Sequence, residues 1–292
     1  MPAARPRVIA GGLPSTPMVR RVPAVLSIAG SDSGGGAGIQ ADLKAFAACG
    51  VHGMTAITAV TAQNTVGVIG VHTVPGPFVV EQVRAVQDDI GVAAVKIGML
   101  GTAATVAAVA EALDLLDPGT PVVVDPVMVA ESGAVLLDET AREALIERLL
   151  PRATIITPNV PEARMLAADD GPPEVLALAL HALGPANVIV TGGHREEVFD
   201  LLFDGILLHP LPGPRHPGGA AHGSGCTHSS ALAAHLALGL TPLEAARRAR
   251  AVAGDAVLHG LHGIGAGAGP VDALAGAAIA RQLPEAAAGP LS

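Results

Sequence analysis

Short apolar runs alternate with longer amphipathic stretches along the chain from residue 24 onward. The short runs show no strict alternation of apolar and polar positions, which is typical of parallel strands buried on both faces. The stretches between them have the length and the apolar spacing of helices. The predicted strands cover residues 24–29, 55–61, 95–97, 122–124, 154–157 and 188–191, and the predicted helices cover residues 37–48, 77–89, 102–116, 138–149 and 160–168. This pattern predicts an α/β protein with a mostly parallel sheet and helices on both faces.

The pattern changes near residue 200. Two short apolar runs, at 198–203 and 206–208, flank the dipeptide Asp204-Gly205. Such a dipeptide suits a two-residue hairpin turn. We therefore expect an antiparallel hairpin at one edge of the sheet.

Two further helices are predicted after a loop rich in Pro, Gly and His. They cover residues 226–238 and 241–258. The second begins with a capping box, in which Thr241 is followed three positions later by Glu244 and proline occupies the first helical position. The segment 1–22 has no sustained periodicity, so we predict a flexible extension there. One domain over 23–282 and a tail over 283–292 complete the predicted organisation.

Composition and charge exclude several classes of protein. Half of the residues are hydrophobic and 15% are charged, which indicates a globular chain with a large core. The net charge is -9, no basic run is present and aromatic residues make up only 1%, so nucleic acid is not an expected partner. No apolar stretch approaches the roughly 18 residues of a membrane span, so no membrane association is expected.

Two glycine-rich segments are candidate ligand-binding loops. Loop 1 comprises residues 31–38, after the first predicted strand, and loop 2 comprises residues 222–227, at the start of a predicted helix. Small residues at a helix start let backbone N–H groups surround an anion such as phosphate. For loop 1, a tight strand-to-helix turn explains the sequence equally well. The chain has no Gly-Lys dipeptide, which excludes a Walker A loop, and residues 34–38 do not match G-x-G-x-x-G, which disfavours a dinucleotide-dependent oxidoreductase.

Cys226 lies in the first turn of a predicted helix, where the helix dipole favours a thiolate that can act as a base or nucleophile. The alternative is a small residue that only packs in the interior. Cys49 ends an amphipathic helix beside Gly50, and we interpret it as a packing residue. Two cysteines are too few for a disulfide framework, and residues 1–22 lack the apolar segment of a secretory leader, so we expect a cytoplasmic location.

Seven segments, in this order, resemble those of the hydroxymethylpyrimidine and phosphomethylpyrimidine kinases of thiamine biosynthesis, a branch of the ribokinase-like fold. They are residues 29–44, 61–65, 96–100, 125–129, 157–163, 192–194 and 223–227. The resemblance covers about residues 24 to 275. It implies a three-layer α/β/α sandwich that transfers phosphate from ATP, with Mg²⁺, to 4-amino-5-hydroxymethyl-2-methylpyrimidine and then to its monophosphate. It also implies a homodimer.

The resemblance assigns roles around the pyrimidine. Cys226 would remove the proton from the hydroxymethyl group, and the backbone of Gly223, Ser224 and Gly225 would form an anion hole. Gln63 would offer a donor and an acceptor to the aminopyrimidine edge, the alternative being a cap for local backbone. The remaining substrate positions are Gly30, Gly38, Asp42 and Met99; a surface helix carboxylate is the alternative for Asp42, and core packing is the alternative for Met99.

The resemblance also assigns a nucleotide and metal side. Asn159 and Glu162 match an N-x-x-E motif that organises Mg²⁺ and phosphate, with Glu162 and Asp125 acting on the metal through water. The alternative for Glu162 is a carboxylate that interacts with the helix dipole. The nucleotide would also contact Thr191, Gly192 and Gly193. Glu131 and Thr191 occupy positions where many relatives carry Lys, so we assign no phosphate-clamping role to Glu131.

Three other functions remain open from the residues alone. A pyridoxal kinase of the same superfamily would act on a similar hydroxymethyl ring. A non-catalytic pyrimidine-binding protein would fit the loss of the two lysines. An NAD(P)-dependent oxidoreductase is opposed by the failed dinucleotide motif.

Overall fold

The computed structural model describes residues 22–129, 133, 136–192, 199–214, 216 and 219–275. The predicted tail over 283–292, and all of the predicted extension except Val22, lie outside these residues, so the domain boundaries stay predictions. The strands are β1 (Ala24–Asp32), β2 (His52–Asn64), β3 (Gly67–Thr73), β4 (Ala94–Ile97), β5 (Val122–Val124), β6 (Ile155–Ile156), β7 (Val188–Val190), β8 (Phe199–Phe203) and β9 (Leu208–Pro212). The helices are α1 (Gly38–Ala48), α2 (Gly76–Asp89), α3 (Ala103–Leu113), α4 (Glu139–Arg148), α5 (Val160–Ala167), α6 (Pro173–His181), α7 (Ser224–Ala237) and α8 (Pro242–Leu258).

Within the described residues, the strands form one sheet in the order β3-β2-β1-β4-β5-β6-β7-β8-β9. The six central strands, which are β2, β1, β4, β5, β6 and β7, pair in parallel with their neighbours, as predicted. Antiparallel pairs lie at both edges, β2 with β3 on one side, and β7 with β8 and β8 with β9 on the other. The single antiparallel edge that we expected is therefore corrected to two. Strand β3 escaped prediction because its side chains are mostly exposed and it contains two glycines.

Helices cover both faces of the sheet, which confirms the three-layer α/β/α prediction. Leu26 and Ile28 of β1 join a core with helices α2 to α6. The intervening Val25 joins a second core with α1, α7 and α8. Side chains on the two faces of one strand thus pack into two different cores. Because both faces are buried, the sequences of such strands are apolar without alternation. Among the described residues, no helix is long and apolar enough to cross a membrane.

The turn between β8 and β9 differs from the two-residue turn that we predicted. The loop spans residues 204–207, because the N–H of Asp204 donates to the carbonyl of Leu207 at 3.1 Å. Asp204 Oδ1 accepts from the N–H groups of Ile206 and Leu207, at 2.9 and 2.7 Å. The carboxylate therefore accepts the N–H groups of a loop that is longer than the predicted two-residue turn. Strand β9 runs on into Pro210 and Pro212, which an edge strand tolerates.

Helix α6 was also missed from the sequence. It begins in the sequence Gly171-Pro172-Pro173, which resembles a turn. Pro173 nevertheless occupies the first helical position, where its missing N–H costs little. The predicted capping box of α8 is confirmed, since Thr241 and Glu244 exchange hydrogen bonds. The carboxyl ends of the parallel strands meet at one edge of the sheet, and this is the edge where an open α/β sheet binds ligands.

Candidate active site

Loop 1 begins at the end of β1 and is organised by Asp32. One carboxylate oxygen accepts the N–H of Gly34 at 2.8 Å, and the other accepts the N–H groups of Gly36 and Ala37 at 3.0 and 2.8 Å. Asp32 is only 3% exposed. Burial acts to raise its pKa, but the hydrogen bonds from His222 and from the three N–H groups prevail and lower it below the usual value. Three N–H groups of loop 1 are therefore occupied by the chain's own carboxylate.

Loop 2 packs directly on loop 1. Gly223 has a φ of +84°, and a Cβ there would overlap the carbonyl of Gly36. A Cβ on Gly36 would overlap the ring of His222. The same ring lies 3.4 Å from a carboxylate oxygen of Asp32. Two contacts thus hold loop 2 against loop 1. Gly36 and Gly223 pack closely on each other, and the imidazole of His222 approaches the carboxylate of Asp32.

Helix α7 starts at Ser224, so loop 2 contains its first turn. The N–H of Ser224 donates to the carbonyl of Ala221 at 3.0 Å, and that of Thr227 donates to Gly223 at 2.9 Å. Across the part of the chain that the structure describes, the N–H groups of Gly225 and Cys226 have no acceptor. A Cβ on Gly225 would meet no atom within 4 Å. Two N–H groups without an acceptor at a helix start can bind an anion.

Cys226 retains some exposed surface, and its sulfur accepts a hydrogen bond from the N–H of Gly38. Burial raises the pKa of the thiol to about 12; Lys96 opposes this shift, and Asp42 and Asp125 add to it. The effect of the helix dipole, which we predicted to favour the thiolate, stays a prediction, and burial acts in the opposite direction. The cause is the low-dielectric surroundings, which the sequence pattern does not reveal.

Asp42 lies on α1 and is fully buried, so the surface-carboxylate alternative is wrong. Its oxygens accept hydrogen bonds from Ser27 at 2.6 Å and from Ser230 at 2.7 Å. They also pair with the ammonium of Lys96 at 2.9 and 3.1 Å. A direct contact between Asp42 and a substrate stays a prediction.

Asp125 and Glu162 bring two carboxylates to the same edge. Asp125 follows β5 and accepts the hydroxyl hydrogen bond of Ser229 at 2.9 Å. Burial raises its pKa despite the opposing effect of Lys96. Burial also raises the pKa of Glu162 to about 8, and the neighbouring Asp125 adds to the shift. Mutual repulsion of this kind favours a bound proton or a bound cation.

Asn159 and Glu162 form a reciprocal capping box at the start of α5. The Asn159 side chain accepts the N–H of Glu162 at 2.9 Å, and Glu162 accepts the N–H of Asn159 at 3.0 Å. The helix-capping alternative therefore describes one function of this pair. The Glu162 carboxylate also accepts a hydrogen bond from the N–H of Met128. A metal role for the pair stays a prediction.

The predicted pyrimidine side contains Gln63, Met99 and Gly30. Gln63 is half-buried at the end of β2; the Ser33 hydroxyl donates to its carbonyl at 2.6 Å, and Thr61 donates to its side-chain oxygen at 3.2 Å. A Cβ on Gly30 would lie 3.1 Å from the Met99 methyl, so these residues face each other. Gly38 cannot carry a side chain either, since its Cβ would overlap the Gly30 carbonyl.

On the predicted nucleotide side, the N–H of Thr191 donates to Pro158 at 2.9 Å. The N–H of Gly192 donates to the buried carboxylate of Asp200 at 3.0 Å. Both N–H groups are therefore already used within the chain. Thr191 also pairs with Asn159 as an isolated bridge, which places these positions side by side. Gly193 and Glu131 lie outside the described residues.

Several residues that contact the predicted site residues or loops were not predicted from the sequence, namely Asp32, Lys96, Asp200, His222, Ser229 and Ser230. Lys96 carried a signal, because a lone charge within the apolar run 95–97 must find a buried partner. The two serines carried none, since hydroxyls are common on helices. Pairing by distant residues, such as Ser230 with Asp42, is decided only by the tertiary fold.

The fold is that of a ribokinase-like kinase. Pyridoxal kinase from Staphylococcus aureus, solved with AMP-PCP and pyridoxal, superposes with a TM-score of 0.79 at 34% identity, covering 89% of this chain and 96% of that one. Phosphomethylpyrimidine kinase from Clostridium difficile 630 superposes with a TM-score of 0.70 at 40% identity, covering 78% of this chain and 96% of that one.

The family model described as phosphomethylpyrimidine kinase matches residues 32–272. The hydroxymethylpyrimidine/phosphomethylpyrimidine kinase of Mycobacterium bovis is 45% identical over 269 residues, which cover 90% of this chain and 98% of that protein. The chain therefore belongs to the phosphomethylpyrimidine kinase family and is a kinase, as the sequence resemblance predicted.

Proposed function

We propose that this kinase transfers the γ-phosphoryl group of ATP to the hydroxymethyl oxygen of 4-amino-5-hydroxymethyl-2-methylpyrimidine, and then to the phosphate of the monophosphate, in thiamine biosynthesis. The observation that carries the proposal is the open first turn of α7. There, the N–H groups of Gly225 and Cys226, which have no acceptor among the described residues, accompany a thiol that interacts with the buried carboxylates of Asp42 and Asp125. Similarity to kinases named for these substrates gives the substrate class.

In the proposed reaction, the thiolate form of Cys226, whose own proton has gone to solvent, accepts the hydroxyl proton while the substrate oxygen attacks the γ-phosphorus and the bond to the ADP oxygen breaks. The N–H groups of Gly225 and Cys226, with the positive end of the α7 dipole, stabilise the charge on the transferred group. Gly223 and Ser224 set the backbone of this anion hole. The thiol is protonated at neutral pH in the ligand-free site, because burial raises its pKa to about 12. Turnover that needs the thiolate therefore rises as the pH rises.

The residues at the edge of the sheet fit a hard divalent cation. Asp125 and Glu162 supply carboxylate oxygens, the type of ligand that Mg²⁺ prefers. Burial raises the pKa of both carboxyl groups, and the neighbouring Asp125 adds to the increase for Glu162. We assign Glu162 and Asp125 to Mg²⁺, acting through water. When bound, the ion neutralises phosphate charge. Asn159, Thr191, Gly192 and Gly193 are assigned to the nucleotide.

On the pyrimidine side, we assign ring recognition to Gln63, with Gly30, Gly38 and Met99 as the walls. Support comes from the half-buried position of the Gln63 amide at the end of β2 and from the contact between Gly30 and Met99. Asp42 lies in the floor of the site and is assigned to the substrate side by resemblance alone.

We further propose a cytoplasmic homodimer. The edge strand β3 exposes Ile69, Val71 and the adjacent Val66 at 83%, 51% and 61% of their surface. An exposed apolar edge strand favours pairing with a second copy. Both described cysteines are free, which suits a reducing compartment.

A pyridoxal kinase is the second candidate, because solved pyridoxal kinases share the fold closely. A coupled assay of ADP production, run separately with hydroxymethylpyrimidine, its monophosphate and pyridoxal, tests both. We expect the highest kcat/KM values with the two pyrimidines. A higher kcat/KM with pyridoxal would reverse the assignment. Saturable pyrimidine binding without ADP release would instead support a binding protein.

A further inference from the structure

Lys96 is a buried cation that none of the assigned roles uses. It lies in β4 between Val95 and Ile97 and is fully buried. Its ammonium is 2.9 Å from Asp42 and 4.0 Å from Asp125. Lysine is rarely buried in this way unless it is paired, because removing a charge from water costs several kcal/mol.

The Lys96 side chain extends toward the carboxyl edge of the sheet, where the site lies. A Cβ on Gly98 would come within 2.8 Å of its nitrogen, so Gly98 leaves the room that the ammonium occupies. The carboxylates raise the pKa of Lys96, against the opposing effect of burial, and the ammonium therefore keeps its charge over the physiological pH range.

Helix α7 is tied to this cluster by one of its faces. Cys226, Ser229 and Ser230 are spaced i, i+3 and i+4, which places them on the same side of a helix. Ser229 donates to Asp125 at 2.9 Å, and Ser230 donates to Asp42 at 2.7 Å. Cys226 therefore lies one helical turn before the two serines that bind Asp125 and Asp42. The Lys96 ammonium contacts both of these carboxylates.

The charges around the thiol have opposite effects on it. Lys96 favours the thiolate, whereas Asp42 and Asp125 disfavour it. Charges interact strongly inside a protein because the effective dielectric constant there is well below that of water. The buried ammonium therefore opposes part of the increase in the pKa of the thiol that burial and the two carboxylates cause.

We propose that Lys96 is a positioning residue for the kinase, whose ammonium stabilises the thiolate form of Cys226, and that Asp42 limits how far this stabilisation goes. The proposal rests on the role of Cys226 as the base. Lys96 acts through the thiol. The proton that leaves the thiol goes to solvent in the free enzyme.

The test measures the alkylation rate of Cys226 by iodoacetamide in the ligand-free protein. The thiolate forms a carbon–sulfur bond and iodide leaves, so the rate follows the thiolate fraction. Peptide mass spectrometry at several pH values between 7 and 9 separates Cys226 from Cys49. Cys49 reports general loosening of the fold, because it is half-buried and packs against a hydrophobic core.

We expect Lys96→Met to slow alkylation of Cys226 about tenfold or more, since one pKa unit changes the thiolate fraction tenfold. Asp42→Asn should accelerate it by a similar factor. Opposite signs are the signature of electrostatics, because loosened packing would accelerate both variants and would also expose Cys49. Lys44→Met is the matched control, as Lys44 is exposed and hydrogen-bonded only to the carbonyl of Gly35 at 2.7 Å. It should change the rate less than twofold.

Lys96→Met leaves two buried carboxylates without a cation and could prevent folding. The pair Asp42→Asn and Asp42→Asn/Lys96→Met then carries the test, and the double variant should react about tenfold more slowly than the single one. An unchanged rate in Asp42→Asn, or acceleration when Lys96 is removed, would overturn the proposal. The measurement contains neither ATP nor pyrimidine, so a failed kinase assay would refute the proposed function without deciding this result.

Discussion

Loops 1 and 2 are both rich in glycine and both lead into a helix, but their backbone N–H groups differ in whether the chain itself supplies an acceptor. In loop 1, the carboxylate of Asp32 accepts three of them and is almost completely buried in doing so. In loop 2, the N–H groups of Gly225 and Cys226 have no acceptor among the described residues, and the space beside Gly225 is open. Loop 1 is a closed structural turn over these positions, and loop 2 is an open anion site.

This difference shows that glycine content alone does not identify an anion-binding loop. Flexibility permits the close approach of N–H groups, but an acid placed within the loop can occupy them first. Loop 1 then serves loop 2 as a support, through the packing of Gly36 on Gly223 and the approach of His222 to Asp32.

The largest effect is expected where the two loops touch. Gly223→Ala would overlap the carbonyl of Gly36 and place alanine at a φ of +84°, so we expect a loss of about 4 kcal/mol or more, or failure to fold. Gly225→Ala is the matched change in the open part of loop 2. It should leave the melting temperature unchanged or slightly higher and lower turnover. Equal melting temperatures for the two variants would contradict the contact between the loops.

Removal of the loop 1 acid comes next. In Asp32→Asn, the amide nitrogen cannot accept the N–H groups of Gly36 and Ala37, so we expect a loss of about 3 kcal/mol of unfolding free energy in urea titrations. The native pKa of Asp32 is lowered, so its stabilisation is present above the unfolded value of 3.8 and is lost as the pH falls through the native value. Asp169→Asn, at an exposed acid with one such bond, is the control. A loss no larger than that of the control would show that Asp32 does not organise loop 1.

Glu162 is expected to give a smaller effect of opposite sign on stability. Its native pKa is raised to about 8, so the native state binds more protons than the unfolded one between pH 4.5 and 8, and stability falls as the pH rises through that window. Glu162→Gln should therefore be more stable than the parent at pH 8 and nearly equal to it at pH 4.5.

The same Glu162→Gln variant should need more Mg²⁺ and turn over more slowly, since an amide is a weaker partner for the hydrated cation. Thermal unfolding from pH 4.5 to 8 and Mg²⁺ titrations of turnover provide the measurements. If Mg²⁺ dependence is unchanged, the capping box with Asn159 is the whole function of this residue.

The smallest effect concerns Gln63, which loop 1 holds through Ser33. Gln63→Leu should weaken pyrimidine binding by about 1 to 3 kcal/mol, because the ring edge loses its polar partner, and leave ATP binding nearly unchanged. Calorimetric titration with each ligand measures the two affinities separately. Equal losses would place Gln63 away from the pyrimidine.

The sequence predicts the elements whose pattern is dictated by burial. The runs of β4, β5 and β7 are apolar throughout, and their positions agree with the structure to within about one residue. Strand β3 and helix α6 were missed because exposure or a proline cluster hid their periodicity. The positions of Gln63 and Asn159 at strand or helix ends could be predicted. The surroundings of Cys226 could not, since they depend on Asp42 and Lys96, which the fold brings from elsewhere in the chain.

The central claim is that loop 2 is the phosphoryl-transfer site and that Cys226 is its base. Turnover of Cys226→Ala and Cys226→Ser, measured with ATP and hydroxymethylpyrimidine alongside melting temperature and ligand affinity, tests it most directly. We predict that both variants fold, bind both ligands and lose turnover by roughly 10²- to 10⁴-fold, because a hydroxyl fills the space of the thiol but ionises far less readily. Near-normal turnover in the Ser variant, or an Ala variant that fails mainly by unfolding, would contradict the claim.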